Sequence, residues 1–581
     1  MQSRAPGKLI KSARQRADGE LVSAGLGLIH AMMTSVNRVV WVSLCLLAGG
    51  CAADCARADG AVPRLEHLGT HTFKITTDSR AAQHDFDCGL NLAYSFGHYA
   101  AGQEFRNALK ADTNCAMAYW GIALVNGPHI NFPLVPPDKA AAAWDALVQA
   151  KRLAPRCSPL EQALIQALAS RYANPQPEDR SPLDSAYASA LREVWHAYPR
   201  NADVATLFAE AAMDLHPWDY WTNGLPQPWT PEIIDALESA LRLDPKHPGA
   251  NHFYIHIMEA SPHPAKALAS AKRLPALVPD SSHMVHMPAH TYSRIGQWDA
   301  AADANRKAMK VDVRYRAVFP RPGFYAIYMA HNAHFLAWVC MMQGRSAEAL
   351  DCAHRMVDEI PDEFLKDYAP IADGYLAIVP ETLMRFGRWD EILNEPEPRE
   401  ELLLARALWR YTRTSALTAL DHKGEATAER EEFAKAAAAV PPDRTLGNNS
   451  AKDLLAIATL VLDAEMAAKT NDFDTAIPKL REAVRREDAL IYDEPPGWIQ
   501  PVRHTLGAVL IRAGRPAEAE AAYREDLEQN PENGWALMGL RNALLLQGQA
   551  AGAAKADARF RKAWAHADIA PAYTCYCQAV R

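Results

Sequence analysis

The chain has 581 residues, of which 49% are hydrophobic and 22% charged, and this normal globular composition excludes a disordered chain, a coiled coil or a collagen-like fibre. Lys and Arg number 61 against 69 Asp and Glu, giving a net charge of −8. Such a chain is a poor candidate for binding nucleic acid, because neutralising phosphates requires a basic surface. Ten Cys are too few for a disulfide scaffold, whereas the 21 His are unevenly distributed.

The N-terminus carries the features of an export signal. Residues 39–50 (VVWVSLCLLAGG) form an apolar stretch that is too short to span a bilayer. The run LAGGC at 47–51 resembles a bacterial lipoprotein signal, which implies lipidation of Cys51 and anchoring to the outer membrane from the periplasm. An A-x-A site at 56–58 allows ordinary signal cleavage instead. We predict a leader over 1–50, whose first part is open to being an over-extended start; the alternative is a chance apolar run in a cytosolic chain.

The body of the chain alternates Ala- and Leu-rich helical segments with short Gly or Asp-Pro breaks. Examples are SFGHYAAGQEFRNALKAD at 95–112, RIGQWDAAADANRKAMKVD at 294–312 and RAGRPAEAEAAYREDLEQNP at 512–531. Each reads as a helix end, a tight turn and an amphipathic second helix with Ala where two helices touch. This pattern resembles the tetratricopeptide repeat (TPR), whose period is 34 residues.

The resemblance implies one all-α fold, a TPR-type right-handed α-solenoid of about ten helical hairpins over 80–565. We predict a linker over 51–79 and a C-terminal tail over 566–581, with insertions at 218–230 and 312–326. A helical bundle is the alternative fold.

A longer resemblance extends beyond the generic repeat. The segments CAMAYWGIALVNGPHIN at 115–131, SSHMVHMPAHTYSRIGQW at 281–298 and YDEPPGWIQPVRHTLGAVLIRAG at 492–514 resemble a widespread group of bacterial TPR proteins. The chain is therefore similar to exported, lipoprotein-like TPR proteins with His-rich repeats. This similarity implies the fold and assigns no activity.

Nine of the 21 His lie between His247 and His334, and most fall at helical spacings of three, four or seven. Residues at these spacings share one helix face. An offset of 34 aligns His252 with His286, and an offset of 48, one repeat plus an insertion, aligns His283 with His331. Three successive first helices of the repeats therefore carry His at equivalent positions and should converge in the concave groove. The predicted metal ligands are His252, His256, Glu259, His283, His286, His290, His331 and His334.

Convergent imidazoles beside a carboxylate are typical of sites for copper, zinc or iron. Eight ligands exceed the needs of one tetrahedral ion, so we predict two ions, or one ion together with substrate-binding His. Three-His clusters on packed helices resemble dinuclear copper proteins in ligand count. Metal-free recognition, acid–base chemistry and structural hydrogen bonding are the alternatives. The sequence contains no HExxH motif and so gives no support to a zincin protease.

Further polar and aromatic side chains are predicted to line the same groove or contact a substrate, either from repeat alignment or from their place beside the His clusters. They are Asp87, Asn91, Asp214, His216, Tyr292, Tyr325, Tyr328, Glu381 and His504.

Two classes of function follow. The first is a metal-dependent protein, and an enzyme if the metal activates water or dioxygen; its catalytic residues are not assigned. The second is a non-enzymatic scaffold that binds a peptide or protein partner in the cell envelope through the groove. Nucleotide and haem cofactors are not expected, because the sequence lacks a phosphate-binding Gly loop and a CxxCH motif. The only membrane contact predicted is the lipid anchor.

Overall fold

A computed structural model of the chain describes residues 64–571 and 573–576. The predicted leader and its lipidation site Cys51 lie outside this part. Within the described residues, no helix is both long and apolar enough to cross a membrane. They form 26 α-helices and only two very short β-hairpins, so the predicted all-α, TPR-type solenoid of helical hairpins is confirmed.

The first third of the described chain consists of helices that pair with their neighbours, beginning with α1 against α2. Several start at polar N-caps: the Ser158 and Glu161 side chains form a capping box, and Asn201 accepts the N–H of Val204. The helices are α1 Arg80–Ala93, α2 His98–Ala111, α3 Ala116–Leu124, α4 Pro137–Leu153, α5 Pro159–Ala169, α6 Ser181–Ala197, α7 Ala202–Asp214, α8 Thr230–Leu243, α9 Pro248–Glu259 and α10 Leu268–Leu277.

The middle third contains the helices that carry most of the clustered His. Proline interrupts the helix that bears His283 and His290: Pro288 has no N–H to continue the ladder, so the segment divides into α11 and α12. The helices are α11 Ser282–His286, α12 Pro288–Arg294, α13 Trp298–Val318, α14 Ala326–Gln343, α15 Ser346–Glu359, α16 Asp362–Ala372, α17 Ile378–Arg385 and α18 Trp389–Asn394.

The last third repeats the hairpin pattern with long, Ala-rich helices. Its helices are α19 Leu403–Ala419, α20 Lys423–Ala439, α21 Ala451–Lys469, α22 Phe473–Asp488, α23 Val502–Arg512, α24 Pro516–Gln529, α25 Gly534–Leu546 and α26 Ala550–Ala563. The two β-hairpins are irregular connections between helices. They pair β1 Trp221–Thr222 with β2 Leu225–Pro226, inside the predicted 218–230 insertion, and β3 Thr445–Leu446 with β4 Asn449–Ser450. Four 3-10 segments complete the regular structure: Ala154–Arg156, Pro264–Ala267, Gly323–Tyr325 and Asp373–Ala377.

The segment before the first helix is packed rather than hanging free. Residues 64–79, predicted as part of a linker, carry no helix, yet Leu68, Phe73 and Ile75 are buried in the core. The backbone N–H of Phe73 donates to Asp87 on α1, 3.0 Å away. These residues therefore extend the folded unit toward the N-terminus.

The last repeats pack back against the middle of the chain. The Trp535 indole N–H donates to the carbonyl of Met341 at 2.7 Å, and the Trp298 indole N–H donates to that of Pro531 at 2.8 Å. Gly344 ends α14 with φ 72°, a left-handed conformation that favours glycine. A Cβ at that position would lie 2.1 Å from the Trp564 ring. The clustered His side chains are themselves buried, among them His252, His256, His283, His286 and His290, so the face predicted to line the concave groove is not exposed.

Candidate metal centre

The first cluster of imidazoles joins α9 to α11. His252 and His256 lie one turn apart on α9, and His283 comes from α11. The Nε2 atom of His252 is 3.0 Å from Nε2 of His256 and 3.0 Å from Nε2 of His283. All three side chains are buried, and their nitrogens can reach one common ion. We call these three residues the first triad.

The second cluster joins α11, α12 and α14. Nε2 of His286 lies 2.9 Å from Nε2 of His290, and the His331 ring lies 4.7 and 5.7 Å from the rings of these two residues. His286 and His290 are buried, whereas His331 is half-buried. These three residues form the second triad, which also offers three nitrogens to one ion.

The two triads are neighbours because α11 contributes one side chain to each. His283 of the first triad and His286 of the second lie one turn apart on α11, with ring centroids 6.1 Å apart. The rings of His256 and His290 are also 6.1 Å apart. Two ions held in the triads would therefore be neighbours.

In each triad two rings are oriented through Nδ1, which turns Nε2 inward. Nδ1 of His252 donates to the carbonyl oxygen of Tyr94 at 2.7 Å, and Nδ1 of His256 donates to Glu259 at 3.2 Å. In the second triad, Nδ1 of His286 donates to the amide oxygen of Asn305 at 2.6 Å. Such outer hydrogen bonds fix the tautomer and orientation of metal-binding imidazoles.

Two carboxylates face Nδ1 of His290, the second oriented ring of the second triad. Nδ1 of His290 lies 2.9 Å from Glu259 and 3.4 Å from Glu494. Glu494 belongs to the segment between α22 and α23, where it also accepts the hydroxyls of Ser293 and Tyr492. Glu259 therefore contacts one ring from each triad and connects them.

The tautomers required by these bonds leave lone pairs facing one another. A carbonyl oxygen and a carboxylate only accept, so Nδ1 of His252 and of His256 must carry the hydrogen. Their Nε2 atoms then have no hydrogen when the rings are neutral, yet they are 3.0 Å apart. In the second triad the Nε2 atoms of His286 and His290 are 2.9 Å apart, but Glu259 and Glu494 favour a protonated His290, whose Nε2–H can donate to His286. A cation between the nitrogens removes the repulsion in the first triad, and in the second triad it would take the place of the His290 proton.

Asn305 supports this assignment of tautomers. Its amide nitrogen donates to the carbonyl oxygen of Ala301 at 2.9 Å, so its amide oxygen is the atom that faces His286. An amide oxygen accepts and cannot donate. Nδ1 of His286 therefore carries the hydrogen.

The electrostatics favour neutral rings in most of the site. Burial and neighbouring imidazoles lower the pKa of His252, His283 and His331 well below its usual range. Burial also opposes charge on His290, but Glu259 and Glu494 raise its pKa to about 10. Neutral imidazole is the form that binds a metal ion.

Aromatic side chains surround the triads. Phe96 lies with its ring centroid 4.8 Å from that of His252, and the Trp218 ring is edge-on to His256 at 5.3 Å. Both residues have positive φ, 56° for Phe96 and 64° for Trp218, which is uncommon for large side chains. Phe335 contacts the second triad, 4.9 Å from the His290 ring. The surroundings are therefore apolar, and backbone strain accompanies two of the wall residues.

Six of the eight predicted ligands form the triads, and two lie beside them. The carboxylate of Glu259 faces Nδ1 atoms rather than the converging Nε2 atoms. The His334 ring is 6.5 Å from that of His331 and packs edge-on against Tyr375 at 5.4 Å. The structure thus gives Glu259 an orienting position and His334 a position outside the second triad.

Two of the predicted tyrosines flank the first triad. The Tyr325 hydroxyl lies 3.1 Å from that of Ser282, and the Tyr328 ring is 4.6 Å from the His283 ring. Tyr292 is half-buried near the end of α12. Tyr325 and Tyr328 therefore form part of the wall around His283.

Three of the predicted groove positions hold structural contacts within the N-terminal repeats. Asp87 accepts the N–H of Phe73, and the Asn91 amide donates to the carbonyl oxygen of His71 at 3.3 Å. The Asp214 carboxylate pairs with Arg171 at 2.6 Å. Each of these side chains therefore has a partner within the chain, although one side-chain oxygen of Asn91 and one of Asp214 have no hydrogen-bond partner among the described residues.

The other three groove positions also have partners within the chain. His216 stacks on Trp229, with ring centroids 3.6 Å apart. His504 pairs with Asp526 at 2.9 Å. For Glu381, burial raises the pKa of the carboxyl to about 8, and its backbone carbonyl accepts the Gln500 amide. None of these contacts involves a triad residue.

A further group of converging side chains, His71, Asp203 and His247, flanks the site and is joined by hydrogen bonds. Asp203 accepts the Tyr94 hydroxyl at 2.9 Å and lies 2.8 Å from His71 and 3.2 Å from His247. Nδ1 of His247 accepts the N–H of Ala250, so Nε2 donates to Asp203. This network anchors Tyr94, whose carbonyl oxygen orients His252.

The sequence interpretation did not identify Tyr94, Asn305 or Glu494. Tyr94 contributes its backbone carbonyl oxygen, which any residue type has. Asn305 lies in α13, and no spacing relates it to the clustered His. Glu494 had a signal, since it belongs to the YDEPP run at 492–496 in a segment that supported the family resemblance. A pairing between that segment and His290 requires the three-dimensional packing of distant repeats.

Comparisons with known proteins give little beyond the fold. No protein-family model and no curated protein matches the chain. A human IFIT1 dimer with m7Gppp-AAAA is 11% identical, with a TM-score of 0.32 over 84% of this chain and 91% of the other. The APC/C hetero-tetramer Cut9–Hcn1 is 14% identical, with a TM-score of 0.31 over 81% and 78%. The P58(IPK) TPR domain is 13% identical, with a TM-score of 0.18 over 83% and 92%. Scores this low carry no argument about function.

Proposed function

We propose that this protein is a dinuclear metal protein in which each histidine triad binds one transition-metal ion. The observation that carries the proposal is the pair of opposed Nε2 lone pairs of His252 and His256 in the first triad. A buried polar contact of this kind is unfavourable without a cation between the nitrogens. The second triad brings three imidazole nitrogens equally close together, and there an ion would replace the proton of His290.

The geometry is compatible with direct coordination. Two nitrogens bound to one tetrahedral ion at about 2.0–2.1 Å lie about 3.3–3.4 Å apart. The observed separations of 2.9 and 3.0 Å differ from that value by only a few tenths of an ångström. Small ring rotations would therefore seat an ion without moving a helix.

The donor set favours copper, with zinc as the competing ion. Each triad offers three imidazoles, and imidazole suits copper, zinc, iron and nickel. Magnesium, calcium and manganese prefer oxygen ligands, and non-haem iron sites use two imidazoles with one carboxylate. The carboxylates of Glu259 and Glu494 face the outer nitrogens rather than the triad interiors. Iron is therefore the weakest of the three predicted metals.

Three protein ligands leave a coordination position open on each ion, which is typical of reactive rather than purely structural sites. We infer that ions held by the triads would leave room for a small ligand, and that they would supply Lewis-acid or redox chemistry to it. Entry would be from the side of His331, the half-buried member of the triads. We also propose a location in the periplasm with a lipid anchor at Cys51, on the basis of the export signal predicted from the sequence.

The scaffold hypothesis applies to other surfaces of the chain. Helical repeats are common in protein-binding scaffolds, and a protein partner on an outer face is compatible with a buried metal centre. The triad side chains of α9, α11 and α12 are buried. An extended peptide therefore has no open groove over the triads.

Metal analysis of the untagged protein tests the proposal. The protein is reconstituted with copper, zinc or iron, freed of excess metal and analysed for metal per chain. Two double variants, His252→Ala with His256→Ala and His286→Ala with His290→Ala, each remove one triad. His263→Ala is the matched control, since this exposed His lies in the same stretch of sequence but outside both triads.

We expect two ions per chain for the wild type and the control, and one ion for each double variant. Circular dichroism checks that the variants remain folded. Absence of bound metal in the wild type, or unchanged stoichiometry in both double variants, would contradict the proposal.

A further inference from the structure

A small cavity lies between α17, α19, α21 and α23, in a different part of the chain from the triads. Its volume is about 20 Å³, and its walls include Arg385, Tyr411, Glu465, Trp498 and Thr505. One water molecule requires roughly 10–15 Å³ by the same measure. The cavity therefore accommodates one or two water-sized particles, or a single small ion.

Arg385 brings an unpaired cation to this cavity. Its side chain is only 5% exposed, and its Nε and Nη2 atoms have no hydrogen-bond partner among the described residues. The guanidinium lies over the Trp535 ring at 3.6 Å, which fixes its position. Within the described chain it forms no ion pair with a carboxylate. Burying a charge without a partner costs free energy, and a hydrogen-bond acceptor beside these N–H groups would reduce that cost.

The acidic residues near Arg385 do not supply that acceptor. Asp526 is the carboxylate that acts on Arg385 through space, but it already accepts from His504 at 2.9 Å and from Asn533 at 2.8 Å. Burial raises the pKa of Glu465 to about 7, so this wall residue is largely uncharged in mildly acidic solution. Burial lowers the pKa of Arg385 to about 9, which leaves it protonated at neutral pH.

We propose that the Arg385 cavity binds one small monovalent anion of the size of chloride. The buried guanidinium of Arg385 lines the cavity without a carboxylate partner in the described part of the chain, and the Trp535 ring holds it in place from one side. The single cation matches a single negative charge, and a volume of about 20 Å³ fits an ion of the size of chloride. This site is independent of the histidine triads.

The test measures the folding equilibrium as chloride replaces gluconate at constant ionic strength. Gluconate is too large for the cavity. Arg385→Met keeps the length of the side chain and removes its charge. Arg481→Met is the matched control, because Arg481 is 46% exposed and pairs with Glu518 on the surface. Urea unfolding gives the folding constant at each chloride concentration.

Binding of one anion predicts that the folding constant rises about tenfold for each tenfold increase in chloride above the dissociation constant. The Arg481→Met protein should show the same dependence, and the Arg385→Met protein none. A wild type without chloride dependence, or an Arg385→Met protein that retains it, overturns the proposal. A crystal soaked in bromide provides a readout that needs no variant: an anomalous peak beside the Arg385 guanidinium supports the site, and its absence overturns it.

Discussion

The carboxylate of Glu259 orients one ring of each triad, His256 in the first and His290 in the second. Replacing Glu259 by Gln tests both roles. In the native protein one oxygen accepts from Nδ1 of His256 at 3.2 Å, and the other forms an ion pair with Nδ1 of His290 at 2.9 Å. The Gln amide offers one acceptor and one donor in nearly the same volume. The amide therefore cannot accept from both Nδ1–H groups, and its NH₂ group faces the Nδ1–H of one of the two rings.

The size of the loss follows from the neighbours of each ring. Removing an outer hydrogen-bond partner of a metal-binding His costs about 10–100-fold in metal affinity, or about 1.4–2.7 kcal/mol. His290 retains Glu494 at 3.4 Å, whereas His256 has no second carboxylate among its described contacts. We therefore expect Glu259→Gln to weaken the first triad by about 10–100-fold and the second triad by less than about tenfold.

Chelator competition measures each affinity in a protein that retains a single triad. The variant with His286→Ala and His290→Ala reports the first triad, and the variant with His252→Ala and His256→Ala reports the second. Adding Glu259→Gln to each background gives the two losses separately. Unchanged affinity in both backgrounds would refute the orienting role of Glu259.

Glu494→Gln is the matched control for this experiment. Glu494 lies 3.4 Å from Nδ1 of His290 and so contacts the second triad alone. Its replacement should weaken metal binding in the protein that retains the second triad and leave the first triad unchanged. A loss at the first triad would show that general distortion, rather than ring orientation, explains the effects.

Two further predictions concern the fold around the site. Gly344→Ala should lower the free energy of unfolding in urea by about 2–5 kcal/mol, because it adds left-handed backbone strain to overpacking against Trp564. Gly514 also has a left-handed backbone, with φ 71°, but no atom lies close to its Cβ position, so Gly514→Ala should cost only about 1–2 kcal/mol. Equal losses in the two variants would contradict the close contact at Gly344. Burial opposes a charge on His71, but Asp203 raises the pKa of His71 above 6.5. The charged His71 therefore stabilises the fold, and His71→Gln should lower the free energy of unfolding most below pH 6.5. This loss should decline as the pH rises through the raised pKa. Urea unfolding at a series of pH values checks this, and a loss that grows with pH would contradict it.

The repeat phase made the triads predictable. His252 and His286 occupy the same position in successive repeats, and helical spacing places His256 and His290 one turn further on. Once the repeats stack, side chains at equivalent positions on neighbouring helices must meet. The sequence therefore indicated which faces converge and that one ion would not use all the ligands.

Sequence spacing does not distinguish the candidates whose nitrogens converge in a triad from those that lie beside it. Glu259 is on the same face as His252, but it is the last residue of α9, and its carboxylate turns toward Nδ1 of His256 and of His290. His334 follows His331 by three residues, yet its ring points to Tyr375. Such differences depend on where a helix ends and which neighbour it meets, and periodicity describes neither.

Long-range packing was also beyond the reach of sequence spacing. Glu494 reaches Ser293 and His290 across about 200 positions of the chain. The contacts of Trp535 and Trp298 with distant repeats depend on how many repeats make one turn of the solenoid. A small change in angle between repeats accumulates along the chain, so the burial of the predicted concave groove could not be derived from spacing.

The most direct test of the account is the position of bound metal in a crystal of the copper-reconstituted protein, located by anomalous scattering at the copper edge. The account predicts two peaks in each chain, one about 2.0–2.1 Å from the Nε2 atoms of His252, His256 and His283 and one equally close to the second triad. A structure without these peaks, or with metal held by the Glu259 and Glu494 carboxylates while the triads stay empty, would contradict it.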